Sequence, residues 1–236
     1  MQVIAKERAR AEVQAAAVVR ERLSNQVQER GNAVLALPGG RSVAGVLEQL
    51  AETEAPFSEV DVFFVDERCV PLEDEESNFT VVQRSFLEPL AAAKNPVPED
   101  RIHPFHCNGT AKNLGVDAYE REFHRVTERL DVAVLGVGED GHVASLFPGA
   151  PELESAGSSL AEPFLAVENA PKPPAQRMSA SPSLLRGAST TILLFFGDGK
   201  RTALKNFVAK DGAVSQCPAR LVRDNEDLWV FTDIGV

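Results

Sequence analysis

The chain has 236 residues, of which 44% are hydrophobic and 25% are charged. These proportions are typical of a globular protein and exclude disordered, fibrous and low-complexity classes. The 35 acidic and 24 basic residues give a formal net charge of -11, which argues against nucleic acid or an anionic membrane as the main partner.

A helix is predicted over residues 6–30, where good helix formers dominate and Ala and Val recur at helical spacing. Charged residues interrupt every apolar stretch of residues 1–22, so we expect no signal peptide. We also expect no membrane helix, because no stretch of the chain reaches the roughly 18 apolar residues that one needs.

Short continuous apolar runs follow the helix and alternate with helix-patterned stretches. Such runs suit parallel strands that are covered on both faces, and the predicted strands are 33–37, 60–66, 130–136, 190–197 and 228–233. The predicted helices are 42–51, 79–92, 114–129 and 199–209. The fold class is therefore α/β, with a mainly parallel sheet and helices on both faces, in one domain over residues 1–236. We expect the Pro-rich stretch 163–177 to be an ordered loop or insertion.

The loop after the first strand, Pro38 to Ser42, contains two glycines and precedes a helix. Backbone N–H groups at Gly39 and Gly40 could converge on an anion, and the helix N-terminus would favour its charge. An ordinary strand-to-helix turn fits this loop equally well. A Walker loop is excluded, because no Gly-Lys-Ser/Thr follows.

The second strand ends in Asp66, Glu67 and Arg68, and Cys69 follows. An arginine presents a planar fork of donors to oxygen anions, and an adjacent aspartate could hold it in place. A solvated charged loop is the simpler explanation of these residues alone. The three cysteines, Cys69, Cys107 and Cys217, are far apart with no metal-type spacing. We therefore expect no disulfide framework, and a reducing, cytoplasmic location.

The loop after the third strand, residues 136–142, matches GxGxxG. Pro148 and Pro151 interrupt the long helix that a dinucleotide site requires, which argues against that type of site. What remains is a carboxylate, Asp140, two positions before the imidazole of His142. A nearby carboxylate can fix the tautomer of a histidine and raise its basicity, which suits acid–base catalysis. The alternative is a histidine that is hydrogen-bonded in a turn for structural reasons.

The remaining candidates are basic residues and histidines. Lys200 follows two glycines at the head of a predicted helix, and Lys172 and Arg177 flank the Pro-rich stretch. Together with Arg41 they could form the local basic cluster that an acidic protein needs to hold a phosphorylated ligand. No carboxylate or cysteine cluster completes a metal site around the other three histidines, so we expect no metal. Those histidines are His103, His106 and His124.

Five segments together resemble the 6-phosphogluconolactonase family, within the wider group that includes glucosamine-6-phosphate deaminase. They are LPGG (37–40), VDVFFVDERCVP (60–71) with Ser77-Asn78 downstream, LDVAVLGVGEDGHVASLFPG (130–149), PKPPAQRMS (171–179) and the Lys200 loop. The resemblance implies a Rossmann-like three-layer architecture of the sugar-phosphate isomerase/lactonase type. One departure is that the first loop reads GGRSV where the family usually has GGSTP, which places Arg41 at a serine position.

Two alternatives remain within the wider group. The deaminases continue the DGH motif with an Asn-Glu pair, whereas this chain has Leu146 and Phe147 there, and Arg68 stands where they have an aromatic residue. The other alternative is a non-catalytic sugar-phosphate sensor domain of a transcription regulator. Such regulators carry a helix-turn-helix ahead of this domain, and about thirty residues precede the first predicted strand here.

The resemblance implies hydrolysis of 6-phospho-D-glucono-1,5-lactone to 6-phospho-D-gluconate, a step of the pentose phosphate pathway, with neither metal nor cofactor. His142 would be the general base, Asp140 would orient it, and Arg68, held by Asp66, would stabilise the oxyanion or bind sugar hydroxyls. The partner would be a small-molecule sugar phosphate, with no nucleic acid and no membrane, and the chain would be a monomer or homodimer. The expected phosphate-binding residues are Gly39, Gly40, Arg41, Ser42, Arg177 and Lys200.

Overall fold

The apolar runs of the sequence become the strands of a central sheet. The computed structural model describes residues 1–153 and 162–235, and the side chain of Arg41 lies outside this description. In chain order the elements are β1 (Gln2–Ala5), α1 (Arg8–Arg30), β2 (Ala33–Leu37), α2 (Arg41–Ala51), β3 (Val60–Phe64), β4 (Asp66–Arg68), α3 (Asn78–Val82), α4 (Glu88–Ala92), α5 (Val116–Val126), β5 (Val132–Gly136), β6 (Phe164–Val167), β7 (Arg177–Ala180), α6 (Pro182–Arg186), β8 (Thr190–Phe195), α7 (Arg201–Val208) and β9 (Asp227–Thr232).

Six strands form a parallel sheet in the order β1-β9-β8-β5-β2-β3. Every neighbouring pair in this sheet is parallel, which confirms the predicted α/β class. All five residues of β2 and of β3 are buried, because both faces of these parallel strands are covered. The apolar side chains of the sheet join those of α1, α2, α5 and α7 in one connected core.

A second, three-stranded sheet has the order β4-β7-β6, and both of its pairs are antiparallel. The prediction of a loop over 163–177 was therefore wrong at both ends, since β6 and the first residue of β7 lie there. All four residues of β7 are buried, yet they include Arg177 and Ser179, so no apolar run marks this strand in the sequence. The second sheet is important for the site, because β4 carries Asp66 and Arg68.

The predicted helix 79–92 is continuous but irregular. Between α3 and α4 the chain is π-helical over Gln83–Leu87. Ser77 caps the first turn by accepting a hydrogen bond from the N–H of Phe79 at 3.1 Å. Asn78, the first residue of this helix, lies beside the start of β4, where its Nδ2 donates to the Asp66 carbonyl at 2.7 Å.

Cys69 and Cys107 form a disulfide, which corrects the expectation that the cysteines stay reduced. The bond joins the residue after β4 to the segment before α5, and 38 positions of sequence separate the two cysteines. A separation of this length matches no recognised cysteine motif, so the sequence alone could not pair the two residues. Cys217 is free and buried. None of the described helices is both long enough and apolar enough to cross a membrane.

Candidate active site

The loops after β2, β5 and β8 surround a cavity of about 550 Å³ at the carboxyl ends of the parallel strands. This is where open parallel sheets bind their ligands. The cavity brings together most of the residues that the sequence singled out, namely Gly39, Gly40, Ser42, Asp66, Arg68, His142, Arg177 and Lys200. The side chain of Arg41 lies outside the described residues. Asp140 is not part of the lining but contacts His142.

His142 and Asp140 form a hydrogen-bonded pair at the edge of the cavity. The His142 Nδ1 lies 2.5 Å from Asp140 Oδ1, and the backbone N–H of His142 donates to the same oxygen at 3.2 Å. The His142 side chain is 18% exposed, and its ring packs against that of Phe147 at a tilt of 37°, with 4.6 Å between the ring centroids. The imidazole is therefore held in one orientation by a carboxylate on one side and an aromatic ring on the other.

The hydrogen bond to Asp140 assigns one tautomer to a neutral His142. A carboxylate can only accept, so Nδ1 carries the proton and Nε2 keeps the lone pair. Partial burial would by itself raise the pKa of Asp140, but the hydrogen bond of His142, with Lys172 Nζ at 3.9 Å, holds that pKa well below its ordinary value. Asp140 thus stays ionised, and an imidazole held in this way can take a proton through Nε2.

Gly138 makes room for this pair. A β-carbon at Gly138 would lie 2.0 Å from His142 Nδ1 and 2.6 Å from Asp140 Oδ1. Gly141 has a φ of +86°, and a β-carbon there would lie 2.8 Å from Cys217 Sγ. Two glycines of the GxGxxG pattern are therefore explained by local packing and backbone conformation, Gly138 by the imidazole and the carboxylate and Gly141 by its positive φ and Cys217.

Asp66 is buried and is held by residues from two other segments. Its Oδ1 accepts from Asn78 Nδ2 at 3.0 Å, and its Oδ2 accepts from Ser145 Oγ at 2.8 Å. Ser145 follows the His142 loop, so Asp66 connects that loop to β4. The expectation that Asp66 holds the Arg68 side chain was wrong: within residues 1–153 and 162–235, Asp66 makes its side-chain hydrogen bonds with Asn78 and Ser145 instead.

Arg68 is positioned by two glutamates. Its backbone N–H donates to Glu67 Oε1 at 2.6 Å, and its Nη1 donates to the backbone carbonyl of Glu76. Its Nε is buried and has no hydrogen-bond partner in the part of the chain that the structure describes. Arg68 thus brings a charged and partly unsatisfied guanidinium to the cavity that contains His142.

Glu67 is a buried carboxylate that connects β4 to the start of α3. Its carboxylate accepts from the N–H groups of Arg68, Asn78 and Phe79 and from Ser77 Oγ, at 2.6 to 2.9 Å. Burial raises the pKa of Glu67, and these donated hydrogen bonds counteract the rise. A carboxylate at a helix N-terminus satisfies otherwise unpaired N–H groups. Glu67 therefore locks the start of α3 against β4.

Arg177 lies opposite Arg68 in the β4–β7 pairing. Its Nε donates to the Pro174 carbonyl and its Nη2 to the Lys172 carbonyl, both at 2.9 Å. Burial and the neighbouring charge of Arg68 lower the pKa of Arg177, while Asp66 opposes this. Two of its guanidinium nitrogens therefore hold the Pro-rich loop against the cavity, and this role limits what Arg177 can offer to a phosphate.

Two helix starts that each follow a glycine also line the cavity. Gly40, with a φ of +92°, precedes α2, and Gly197, also at +92°, precedes the turn that carries Lys200. Ser42 lies in the first turn of α2 and lines the same cavity. N–H groups at helix starts and a lysine are the donors that phosphate prefers.

Sequence reasoning missed Arg8, Asn78 and Glu139 as lining residues. Arg8 lies in the first turn of α1, far from every motif, with its guanidinium 5.2 Å from the Phe196 ring and its Nε 2.8 Å from Glu12 Oε1. Its sequence context is that of a surface helix, which gives no signal of a site. Asn78 follows the capping Ser77, and that position directly after a cap was the available signal.

Two of the other histidines, His103 and His124, are paired with carboxylates. His103 is 5% exposed, and its ring nitrogens each lie 2.9 Å from a carboxylate, those of Asp61 and Glu122. His124 contacts Glu128 on the surface of α5 at 3.0 Å. Among the described residues, no group of three or more His, Cys, Asp and Glu side chains could hold a metal ion.

Comparison with known proteins gives a consistent result. A sequence profile of the family described as glucosamine-6-phosphate isomerases/6-phosphogluconolactonase matches residues 6–230. The chain is 36% identical over 196 residues to the 6-phosphogluconolactonase of Borreliella burgdorferi, covering 83% of this chain and 81% of that protein. It is 35% identical over 218 residues to that of Pseudomonas putida, covering 89% and 84%.

Solved structures show the same fold. The 6-phosphogluconolactonase from Shewanella baltica superposes with a TM-score of 0.84 at 24% identity, covering 98% of this chain and 95% of that one. The enzyme of that name from Thermotoga maritima gives a TM-score of 0.82 at 24% identity, covering 98% of each chain.

Proposed function

The chain belongs to the glucosamine-6-phosphate isomerase/6-phosphogluconolactonase family, and from this premise we propose that it hydrolyses 6-phospho-D-glucono-1,5-lactone to 6-phospho-D-gluconate in the pentose phosphate pathway. The observation that carries the proposal is the His142–Asp140 pair at the edge of a cavity that also contains Arg68 and Lys200. A strained ester needs an activated water, a proton for its leaving oxygen and stabilisation of charge at the carbonyl.

The reaction proceeds in two steps around His142. Nε2 takes a proton from water as the water oxygen bonds to the lactone carbonyl carbon, which places negative charge on the carbonyl oxygen. The intermediate then collapses, the bond from that carbon to the ring oxygen breaks, and the imidazolium returns the proton to the leaving oxygen. Asp140 keeps Nδ1 protonated throughout and stabilises the transient imidazolium charge.

Arg68 stabilises the developing oxyanion. The support for this role is the buried Nε of Arg68, which has no partner among the described residues, and the fixed position of its backbone beside Glu67. A preorganised cationic donor is most effective where water is largely excluded. Asp66 acts on the site through Asn78 and Ser145, to which it is hydrogen-bonded.

The phosphate binds at the two helix starts that follow Gly40 and Gly197. We assign Lys200 and the loop from Gly39 to Ser42 to this role, in which a local cation and helix N–H groups overcome the repulsion of a chain with net charge -11. Arg177 contributes mainly by holding the loop that contains Lys172. Arg41 remains a proposed contact on sequence grounds alone.

A deaminase reaction is not favoured by the positions that correspond to its Asn-Glu pair. Leu146 is fully buried in the core, and Phe147 is 3% exposed and packs on His142. Apolar side chains there supply no carboxylate for acid–base chemistry on a sugar carbon. The reaction we propose requires only the residues named above, and it uses neither metal nor cofactor.

The same proposal includes one domain over residues 1–236, acting in the cytoplasm as a monomer or homodimer. The connected core supports a single domain. The Cys69–Cys107 disulfide does not support the cytoplasmic location, because structural disulfides are rare in a reducing cytosol.

The test is a coupled assay in which the lactone is generated immediately before use and 6-phosphogluconate formation is followed. The expected result is a rate that rises in proportion to enzyme concentration above the spontaneous hydrolysis of the lactone. Ammonia release from glucosamine 6-phosphate is expected to stay at background. Ammonia release without lactone hydrolysis would assign the chain to the deaminases instead.

A further inference from the structure

Asn78 has one side-chain atom that its protein surroundings leave unsatisfied. The residue is 2% exposed and lines the cavity, yet its Oδ1 has no hydrogen-bond partner in the described ranges 1–153 and 162–235. Buried polar atoms are nearly always hydrogen-bonded, so each exception calls for a specific explanation.

The orientation of the Asn78 amide is fixed. Its Nδ2 donates to the backbone carbonyl of Asp66 at 2.7 Å and to Asp66 Oδ1 at 3.0 Å. Both partners can only accept, so the nitrogen must face Asp66 and the oxygen must face away from it. The backbone is fixed as well, because the Asn78 N–H donates to Glu67 Oε1 at 2.7 Å.

The first glycine loop is shaped to admit this amide. A β-carbon on Gly39 would lie 2.0 Å from Asn78 Oδ1 and 2.5 Å from its Cγ. A glycine is therefore required at position 39 because the Asn78 side chain occupies the space of a side chain there. Gly39 and Asn78 both line the cavity. The unsatisfied oxygen therefore lies between β4, which carries Asp66 and Arg68, and the proposed phosphate loop from Gly39 to Ser42.

We propose that Asn78 is a substrate-binding residue whose Oδ1 accepts a hydrogen bond from one ring hydroxyl of the lactone. This inference rests on the proposed function, and it adds a contact that selects for a hydroxylated ring. A site built to pair with a substrate hydroxyl discriminates against the analogue that lacks it, since the protein group is then left buried and unpaired. The same amide holds Asp66, so substrate recognition and the position of β4 depend on one side chain.

The experiment compares the 6-phosphorylated lactone with its 2-deoxy, 3-deoxy and 4-deoxy analogues, with hydrolysis followed by proton release. We expect the wild-type enzyme to have a kcat/KM about tenfold lower for one of the three deoxy lactones. Asn78→Ala should abolish this discrimination. Ser77→Ala is the matched control, because it weakens the Glu67 corner without touching the amide, and it should slow all four lactones by the same factor.

An equal loss for Asn78→Ala on all four lactones would contradict the substrate contact and leave Asn78 only the positioning of Asp66. If that variant turns over too slowly, the dissociation constants of the corresponding deoxy acids give the same comparison and the same two outcomes. A wild-type protein that hydrolyses none of the lactones would contradict the proposed function itself. An active wild type with unchanged discrimination in Asn78→Ala would contradict only the role of Asn78.

Discussion

Gly138 and His142 are packed so closely that a β-carbon on residue 138 would lie 2.0 Å from the imidazole Nδ1. We predict that Gly138→Ala displaces the imidazole and lowers kcat by about 10²-fold, the usual cost of misplacing a catalytic group by about 1 Å. Gly109→Ala is the control, because a β-carbon there meets only Gln176 Oε1 at 4.0 Å. Near wild-type turnover by a folded Gly138→Ala variant would show that this packing does not position His142.

The carboxylate of Asp140 should stay ionised throughout the pH range of an assay. Although partial burial opposes it, the His142 hydrogen bond holds the pKa of Asp140 well below its ordinary value, so protonation of Asp140 should produce no acid limb in the kcat/KM profile of the wild type. Asp140→Asn should lower kcat/KM at neutral pH about 10²-fold or more, because an amide can place the imidazole proton on Nε2. Wild-type kcat/KM in a folded Asp140→Asn variant would contradict the orienting role of Asp140.

Lys200 should contribute to binding through the phosphate. A charged hydrogen bond is worth about 1.5 to 3 kcal/mol, so Lys200→Ala should lower kcat/KM for the phosphorylated lactone by roughly 10- to 100-fold. The same variant should have little effect on unphosphorylated gluconolactone. Lys205→Ala is the matched control, since Lys205 is an exposed lysine of α7. A loss of equal size on both lactones would mean that Lys200 does not bind the phosphate.

The Cys69–Cys107 disulfide predicts a simple thiol count. Protein purified without reductant and then unfolded should show one reactive thiol, that of Cys217, and three after reduction. Closing a loop of this length stabilises a protein by up to about 4 kcal/mol in the chain-entropy description. We therefore expect the Cys69→Ser/Cys107→Ser variant to unfold at lower denaturant concentration. Three reactive thiols before reduction would contradict the pairing.

The parallel sheet was predictable because its strands are buried on both faces. Ala33–Leu37 is an uninterrupted apolar run, and the structure assigns a strand over those same residues. β7 could not be found in this way, since its buried side chains include Arg177, a charged residue that donates to backbone carbonyls of the preceding Pro-rich loop. Hydrogen bonds to backbone carbonyls can offset the burial of a polar side chain, and an apolar pattern does not reveal them.

In the site, contacts between residues close in sequence were predictable, and contacts between distant residues were not. His142 and Asp140 are two positions apart, so their pairing is a local property that the sequence predicts. Asp66 and Ser145 are 79 positions apart, and the contact between them depends on how two separate sheets pack together. For the same reason the sequence placed Asp66 against its neighbour Arg68, whereas the folded chain places it against Asn78.

The most direct test of the account is the hydrolysis rate of freshly generated 6-phospho-D-glucono-1,5-lactone by His142→Ala, corrected for spontaneous hydrolysis. His124→Ala serves as the control, because His124 contacts Glu128 on the surface of α5. A general base typically contributes a factor of about 10² to 10⁴ to the rate. We therefore expect a loss of that size for His142→Ala and wild-type activity for His124→Ala. A folded His142→Ala protein that retains wild-type turnover would contradict the account.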